Sequence, residues 1–132
     1  MKNTCHILLV EDDPDDIELL KEALKLSEVD CTIECIMQGN EVVPRLQKSV
    51  IYPDLIILDL NLPKMNGKDI LRFIKSSEVL KNIPVLVLTT SSSVEEKDSC
   101  IKAGAAMYIS KPTTMEGFHQ IVTAITILAG II

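Results

Sequence analysis

The sequence predicts an α/β fold in which five parallel strands form a doubly wound sheet with helices on both faces. Leu55–Leu58 is an unbroken apolar run after Tyr52-Pro53, typical of a strand buried on both sides. Short apolar runs alternate along the chain with segments of helical periodicity. The 132 residues suffice for one core, so we expect a single domain over residues 1–132.

The first unit is a strand followed by a helix. His6–Val10 is predicted as the strand, and Pro14 suits the first turn of a helix that reaches about Ser27. The apolar positions expected to face the core are Ile17, Leu20 and Leu24.

The second unit is also a strand followed by a helix, but its helix contains a mildly unfavourable proline. Thr32–Met37 is predicted as a strand, and Gly39-Asn40 as the turn and cap of the next helix. Pro44 falls in the first turn of that helix. Its expected inward positions are Val43, Leu46 and Val50.

The third helix is expected to follow the central strand from Asn66-Gly67. Its inward positions are Ile70, Leu71 and Ile74. Pro84 then opens a fourth strand, Val85–Leu88. These units continue the same strand–helix alternation.

The fourth helix has two candidate capping boxes, Ser92 with Glu95 and Ser93 with Glu96. Gly104 is expected to end this helix.

The last unit begins with the strand Met107–Ser110. Thr113 with Glu116 is predicted to cap the final helix. Its shared apolar face comprises Phe118, Ile121, Val122 and Ile125. The apolar end, ITILAGII, is interpreted as the core-packed end of that helix, with a dimer or partner surface as the alternative.

Composition argues against several partners. The net charge of -6, from 13 basic and 19 acidic residues, disfavours a nucleic-acid or anionic-membrane surface, because both need a basic face. Ile7–Val10 is too short an apolar run for a signal peptide or a membrane span, which predicts a cytoplasmic protein without membrane insertion. The 4 cysteines form no CxxC pair and are interpreted as reduced thiols rather than a metal or disulfide site.

Acidic side chains follow two strands that a doubly wound sheet makes neighbours. Glu11 and Asp12 follow the first strand, and Asp59 follows the third. Three converging carboxylates repel one another unless a cation lies among them, and oxygen-only ligands suit Mg²⁺. The remaining acids of this segment are interpreted as charges that favour a helix N-terminus: Asp13, Asp15 and Asp16.

The last two strands end in a hydroxyl run and a cation at the same edge. Thr89-Thr90-Ser91 follows the fourth strand, and Lys111-Pro112 follows the fifth, with a proline that raises the chance of a cis bond. Metal ligands, a carboxylate nucleophile, a hydroxyl and an ammonium are the groups that phosphoryl transfer needs.

Two other functions compete with this interpretation. An Mg²⁺-dependent hydrolase or nuclease would need DxD or DxDxT after a strand, whereas the chain has Asp59-Leu60-Asn61. A flavin-binding domain would need a first loop rich in Gly and Thr, whereas residues 11–15 are mostly acidic and would repel a phosphate.

Five stretches resemble one family. They are ILLVED (7–12), LDLNLPKMNG (58–67), VLVLTT (85–90), KAG (102–104) and YISKP (108–112). In this order they resemble the receiver domain of two-component response regulators over the whole chain. The resemblance implies a flavodoxin-like (βα)5 fold and a signalling domain whose only chemistry is its own phosphorylation and autodephosphorylation.

The resemblance also implies roles for the acidic residues. Asp59 would be phosphorylated from a sensor histidine kinase or a histidine phosphotransfer protein. Asp12, Asp59 and the backbone carbonyl of Asn61 would hold Mg²⁺, and Glu11 would act through water.

Three further residues take roles from the same resemblance. Lys111 would pair with the phosphoryl oxygens, Thr89 would move to hydrogen-bond one of them, and Tyr108 would turn inward as the switch aromatic. Helix four and strand five are then the expected surface for a downstream protein target. A homodimer could form through helix four, strand five and helix five, or through the C-terminal helix face.

Departures from the commonest family pattern limit what the resemblance implies. Thr90 is larger than the residue frequent after the switch threonine, which should reduce access of water or a phosphatase. Asn61 and Ser91 occupy positions where the family tunes autodephosphorylation. With no output domain evident, we expect a stand-alone receiver, similar to regulators paired with phytochrome-type or other sensory kinases; a chemotaxis or phosphorelay partner is the alternative.

Overall fold

Five parallel strands form one sheet in the order β2-β1-β3-β4-β5, as the sequence predicts. The computed structural model describes residues 4–62, 64–91 and 93–131. The strands are β1 (Thr4–Val10), β2 (Asp30–Ile36), β3 (Leu55–Leu58), β4 (Val85–Thr89) and β5 (Met107–Ser110). The helices are α1 (Pro14–Leu26), α2 (Val42–Gln47), α3 (Gly67–Ser76), α4 (Val94–Lys102) and α5 (Met115–Ala129), and a 3-10 turn (Gly39–Glu41) precedes α2.

The sheet separates two apolar cores, which confirms the doubly wound arrangement. On one face, α2, α3 and α4 cover the sheet through residues that include Leu46, Ile70 and Cys100. On the other face, α1 and α5 pack through residues that include Leu20 and Ile121. Because side chains alternate along a strand, β3 contributes to both cores and every one of its residues is fully buried.

The first two strands are paired further upstream than predicted. Their parallel register runs from Thr4 opposite Asp30 to Val10 opposite Ile36. The apolar pattern does not reveal backbone pairing, so it missed the polar residues at the start of each strand. Met37 lies beyond the end of β2 and is half-exposed.

The prediction for the second helix is wrong at two positions. The helix ends at Gln47, so the chain has left helical geometry before Val50, whose side chain is 94% exposed. Val42 and Leu46 are the buried positions, and Val43 is only half-buried. Leu46 is therefore buried as predicted, and Val42 takes the inward position predicted for Val43.

Helix caps partly follow the predicted motifs. Ser93 Oγ accepts a hydrogen bond from the Glu96 N–H at 3.2 Å, so the second candidate cap is confirmed, while Ser92 lies outside the described residues. Thr114, not Thr113, caps α5, because its extended backbone directs Oγ1 to the Gly117 N–H at 3.2 Å.

The remaining local predictions have mixed outcomes. Gly104 has a φ of 110° just after α4 and ends that helix as predicted. The Lys111–Pro112 peptide bond is trans, although a proline there raises the chance of a cis bond. Leu128 and Ile131 pack against the core of α1 and α5, in agreement with a core-packed C-terminal helix.

None of the four cysteines is in a disulfide. Within the described part of the chain, no helix combines the length and apolar character needed to cross a bilayer.

Candidate functional site

The site lies at the carboxyl ends of the central strands. The Asp59 N–H donates to the Val10 carbonyl at 3.0 Å, and the Glu11 N–H donates to the Ile36 carbonyl at 3.0 Å. These bonds continue the ladders past the last strand residues. They fix the positions from which Glu11 and Asp59 project toward each other.

Three carboxylates converge as the sequence predicts. Glu11, Asp12 and Asp59 each offer one oxygen, and these oxygens lie within 4.8 Å of one another. Glu11 and Asp59 are buried, whereas Asp12 is exposed and leaves the cluster open to solvent. An all-oxygen donor set of this span fits a hard divalent cation such as Mg²⁺ or Mn²⁺.

The Glu11 carboxylate is fixed at both of its oxygens. Oε2 accepts backbone N–H groups from Asp12 at 3.0 Å and Asp13 at 3.2 Å, and Oε1 contacts Lys111 Nζ at 2.8 Å. Burial raises the pKa of Glu11 to about 7, and the charge of Asp59 adds to the rise, while the hydrogen bond from Lys111 opposes it. A cation in the cluster would favour the ionised form.

The Lys111 ammonium lies among three carboxylates. Nζ is 2.8 Å from Glu11 Oε1, 2.9 Å from Asp16 Oδ2 and 3.4 Å from Asp59 Oδ2. Burial alone lowers the pKa of Lys111, but the bonds to Glu11 and Asp16 and the nearby negative charges raise it above its ordinary value. Lys111 is therefore a permanent cation beside Asp59.

The backbone after β3 also holds Asp59. Its Oδ1 accepts the Asn61 N–H at 3.1 Å. Gly67, the first residue of α3, lies so close that a Cβ there would be 2.6 Å from Leu60 Cα and 2.7 Å from the Asp59 carbonyl oxygen. This contact requires glycine at position 67 and keeps the loop against the helix start.

Thr89 and Tyr108 lie on the adjacent strands. Thr89 is fully buried, and its Oγ1 accepts the Ser91 N–H at 3.4 Å. Tyr108 packs against the core of α2, α3 and α4, and its single O–H proton is shared between Glu96 Oε1 at 2.9 Å and the Ser91 carbonyl at 3.2 Å. The ring lies against this core, and the hydroxyl contacts the connection between β4 and α4.

Comparison with known proteins identifies the family. Residues 7–123 match the response regulator receiver domain. The chain belongs to this family. The receiver is 36% identical over 124 residues to response regulator Rcp1 of Synechocystis sp. (strain ATCC 27184 / PCC 6803 / Kazusa), covering 90% of this chain and 84% of Rcp1.

Solved receiver structures agree with the fold. The phosphorylated cyanobacterial phytochrome response regulator RcpA superimposes with a TM-score of 0.84 at 38% identity, covering 93% of this chain and 91% of RcpA. The Mn²⁺-bound form of Rcp1 superimposes with a TM-score of 0.82 at 35% identity, covering 92% and 91% of the two chains. The flavodoxin-like (βα)5 prediction is confirmed, and the receiver is a phosphoacceptor response regulator.

Sequence reasoning missed one residue of this receiver's site. The acidic pattern predicts only a helix N-terminal charge at Asp16, but the Asp16 carboxylate contacts Lys111. The available signal was only proximity in sequence, because Asp16 lies in the first turn of α1, four residues after Asp12.

Proposed function

We propose that Asp59 is the phosphoacceptor. An Asp59 carboxylate oxygen attacks the phosphorus of a phosphohistidine, a P–O bond forms, and the P–N bond breaks with its electron pair moving to the imidazole, which takes up a proton. The supporting observation is the buried Asp59 carboxylate, which lies 3.4 Å from Lys111 Nζ and within the three-carboxylate cluster. The product is an acyl phosphate.

We propose Mg²⁺ as the ion of the cluster. Asp12, Asp59 and the backbone carbonyl of Asn61 would bind it, and Glu11 would act through a bound water. When bound, Mg²⁺ neutralises charge on the transferring phosphoryl group and orients it. The Mn²⁺-bound form of Rcp1 supports a divalent ion in a related protein, and the acidic oxygens supply the hard ligands that Mg²⁺ prefers.

Lys111 and Thr89 would act on the phosphoryl oxygens. Lys111 carries a fixed positive charge beside Asp59, so it screens the negative charges that the reaction brings together. Thr89 ends the neighbouring strand, and rotation of its side chain would exchange the long Ser91 bond for a bond to the phosphoryl group. Tyr108 would then report that change through Ser91.

We propose protein partners on two sides of the reaction. A sensor histidine kinase or histidine phosphotransfer protein supplies the phosphoryl group, and the likeness to RcpA favours a phytochrome-type kinase. A downstream protein would bind the surface of α4 and β5, because Tyr108 and Glu96 connect these elements to the site. A homodimer through α4, β5 and α5, or through the C-terminal helix face, is the proposed alternative for this surface.

We also propose a cytoplasmic location and no turnover of a separate substrate. The proposed chemistry is confined to formation and loss of the Asp59 acyl phosphate. Turnover of a phosphomonoester or phosphodiester by the purified protein would contradict this restriction.

Acetyl phosphate tests the proposed acceptor. The full chain is incubated with acetyl phosphate and Mg²⁺, and intact mass is measured. The wild type should gain one phosphate and Asp59→Asn none, and removal of the metal with EDTA should abolish labelling. Equal labelling of the two proteins would defeat the proposal.

A further inference from the structure

Asp16 and Asp59 both contact one ammonium group. Lys111 Nζ is 2.9 Å from Asp16 Oδ2 but 3.4 Å from Asp59 Oδ2. The lysine side chain is 10% exposed and that of Asp16 is 23% exposed, so water screens this ion pair only in part. The shorter of these two bonds therefore goes to the residue outside the three-carboxylate cluster.

The ammonium has no spare N–H group in this arrangement. It offers three donors, and Glu11, Asp16 and Asp59 occupy all three. A phosphoryl group on Asp59 brings additional oxygens and negative charge to the same place. Lys111 can bond those oxygens only by giving up or lengthening an existing bond.

Of the two shorter bonds of Lys111, the bond to Asp16 can be released at less cost than the bond to Glu11. Glu11 is buried, so leaving its carboxylate without the ammonium carries a large desolvation penalty, whereas the Asp16 carboxylate reaches solvent. Asp16 also belongs to the first turn of α1, where the helix N-terminus stabilises its charge without Lys111.

We propose that Asp16 is a positioning residue that shares the Lys111 ammonium with Asp59 in the unphosphorylated protein and competes with the phosphoryl group for it. The proposal rests on Asp59 being the phosphoacceptor. Asp16 thereby slows phosphorylation by a small donor, since the donor must displace this bond before Lys111 can screen its charge. Release of Asp16 from Lys111 accompanies formation of the acyl phosphate.

A neutral variant with a neighbouring control tests this role. Asp16→Asn and Asp15→Asn remove the same charge from the same helix turn, but Asp15 is exposed and is not among the carboxylates that contact Lys111. Labelling by acetyl phosphate is measured at donor concentrations below saturation and at saturating Mg²⁺. Asp16→Asn should accelerate labelling about threefold to tenfold, the size expected for one partly buried ion pair, and Asp15→Asn should stay within about twofold.

A spectroscopic measurement separates positioning from a general charge effect. The ¹⁵N signal of the Lys111 ammonium is assigned through its loss in Lys111→Arg. Before phosphorylation this signal should move in Asp16→Asn but not in Asp15→Asn, and Asp16→Glu should restore the wild-type labelling rate within about twofold. After phosphorylation, the signals of the wild type and Asp16→Asn should converge.

Each outcome has a distinct meaning. Slower labelling of Asp16→Asn, or equal effects of Asp16→Asn and Asp15→Asn on rate and signal, would overturn the role of Asp16 while leaving Asp59 as acceptor. If the wild type is not labelled at all, Asp59 is not the acceptor, and the proposed competition for Lys111 is overturned as well.

Discussion

The phenolic hydroxyl of Tyr108 lies 2.9 Å from Oε1 of Glu96 and donates a hydrogen bond to it. The Ser91 carbonyl, 3.2 Å from the same hydroxyl, shares that one proton with Glu96, and Ser110 Oγ donates to the carbonyl at 3.0 Å. These bonds tie the connection between β4 and α4 to β5. A change at the site edge of β4 can therefore reach the surface through this group of side chains.

Removing the Tyr108 hydroxyl should destabilise the protein. Tyr108→Phe keeps the ring against the core but leaves Ser91 and Glu96 without this donor, so we expect a loss of about 1–2 kcal/mol in the free energy of unfolding. Tyr52→Phe is the control, because Tyr52 is 39% exposed and its change should cost under about 0.5 kcal/mol. Urea unfolding measures both values, and equal losses would contradict the role of these bonds.

The glycine at the start of α3 should matter for both folding and phosphorylation. In Gly67→Ala the new methyl group meets the backbone of Leu60 and Asp59, so the helix must move and take the acceptor loop with it. We expect a loss of about 1–3 kcal/mol in stability and slower labelling by acetyl phosphate.

Gly130→Ala provides the matched control for Gly67→Ala. Gly130 has a φ of 72°, so alanine there costs about 1 kcal/mol of backbone strain, but nothing lies within 4 Å of the added carbon. Its labelling rate should equal that of the wild type. A Gly67→Ala protein that also labels at the wild-type rate would show that the close contact does not position Asp59.

Metal binding should depend on pH through Glu11. Burial raises the pKa of Glu11 from 4.5 to about 7, so between those values the folded, metal-free protein holds a proton that the unfolded chain has lost. The contribution of Glu11 to stability therefore falls as pH rises through that window. A divalent ion favours the ionised carboxylate, so binding should release a proton near pH 6 and almost none near pH 8.5.

Calorimetry in two buffers of different ionisation enthalpy measures that proton release. Glu11→Gln cannot supply the proton and should show little difference between the two pH values. Proton release that is the same in Glu11→Gln and the wild type would place the titrating group elsewhere.

The apolar pattern predicted the central strands well, because a strand buried on both faces is an unbroken run of apolar residues. Leu55–Leu58 and Met107–Ser110 have the predicted ends. The second helix was harder to predict, because a helix of six residues offers too few turns to fix its phase, and Val50 was assigned inward although it is 94% exposed. The shift of the α5 cap from Thr113 to Thr114 has a similar origin, since adjacent threonines are chemically equivalent in sequence.

The part of the site that lies at the ends of strands could be predicted from the sequence. Glu11, Asp12 and Asp59 converge because parallel strands end at one edge, and Lys111 reaches them from β5. Asp16 was not predictable in this way, because it lies on a helix and joins the site only through the length and direction of the Lys111 side chain.

Reduction of the acyl phosphate tests the central claim most directly. After labelling with acetyl phosphate and Mg²⁺, borohydride converts a phosphorylated aspartate to homoserine, and peptide mass spectrometry locates the changed residue. The account predicts homoserine at position 59 and nowhere else. Homoserine at position 12, 13, 15 or 16, or a labelled protein that yields none, would contradict it.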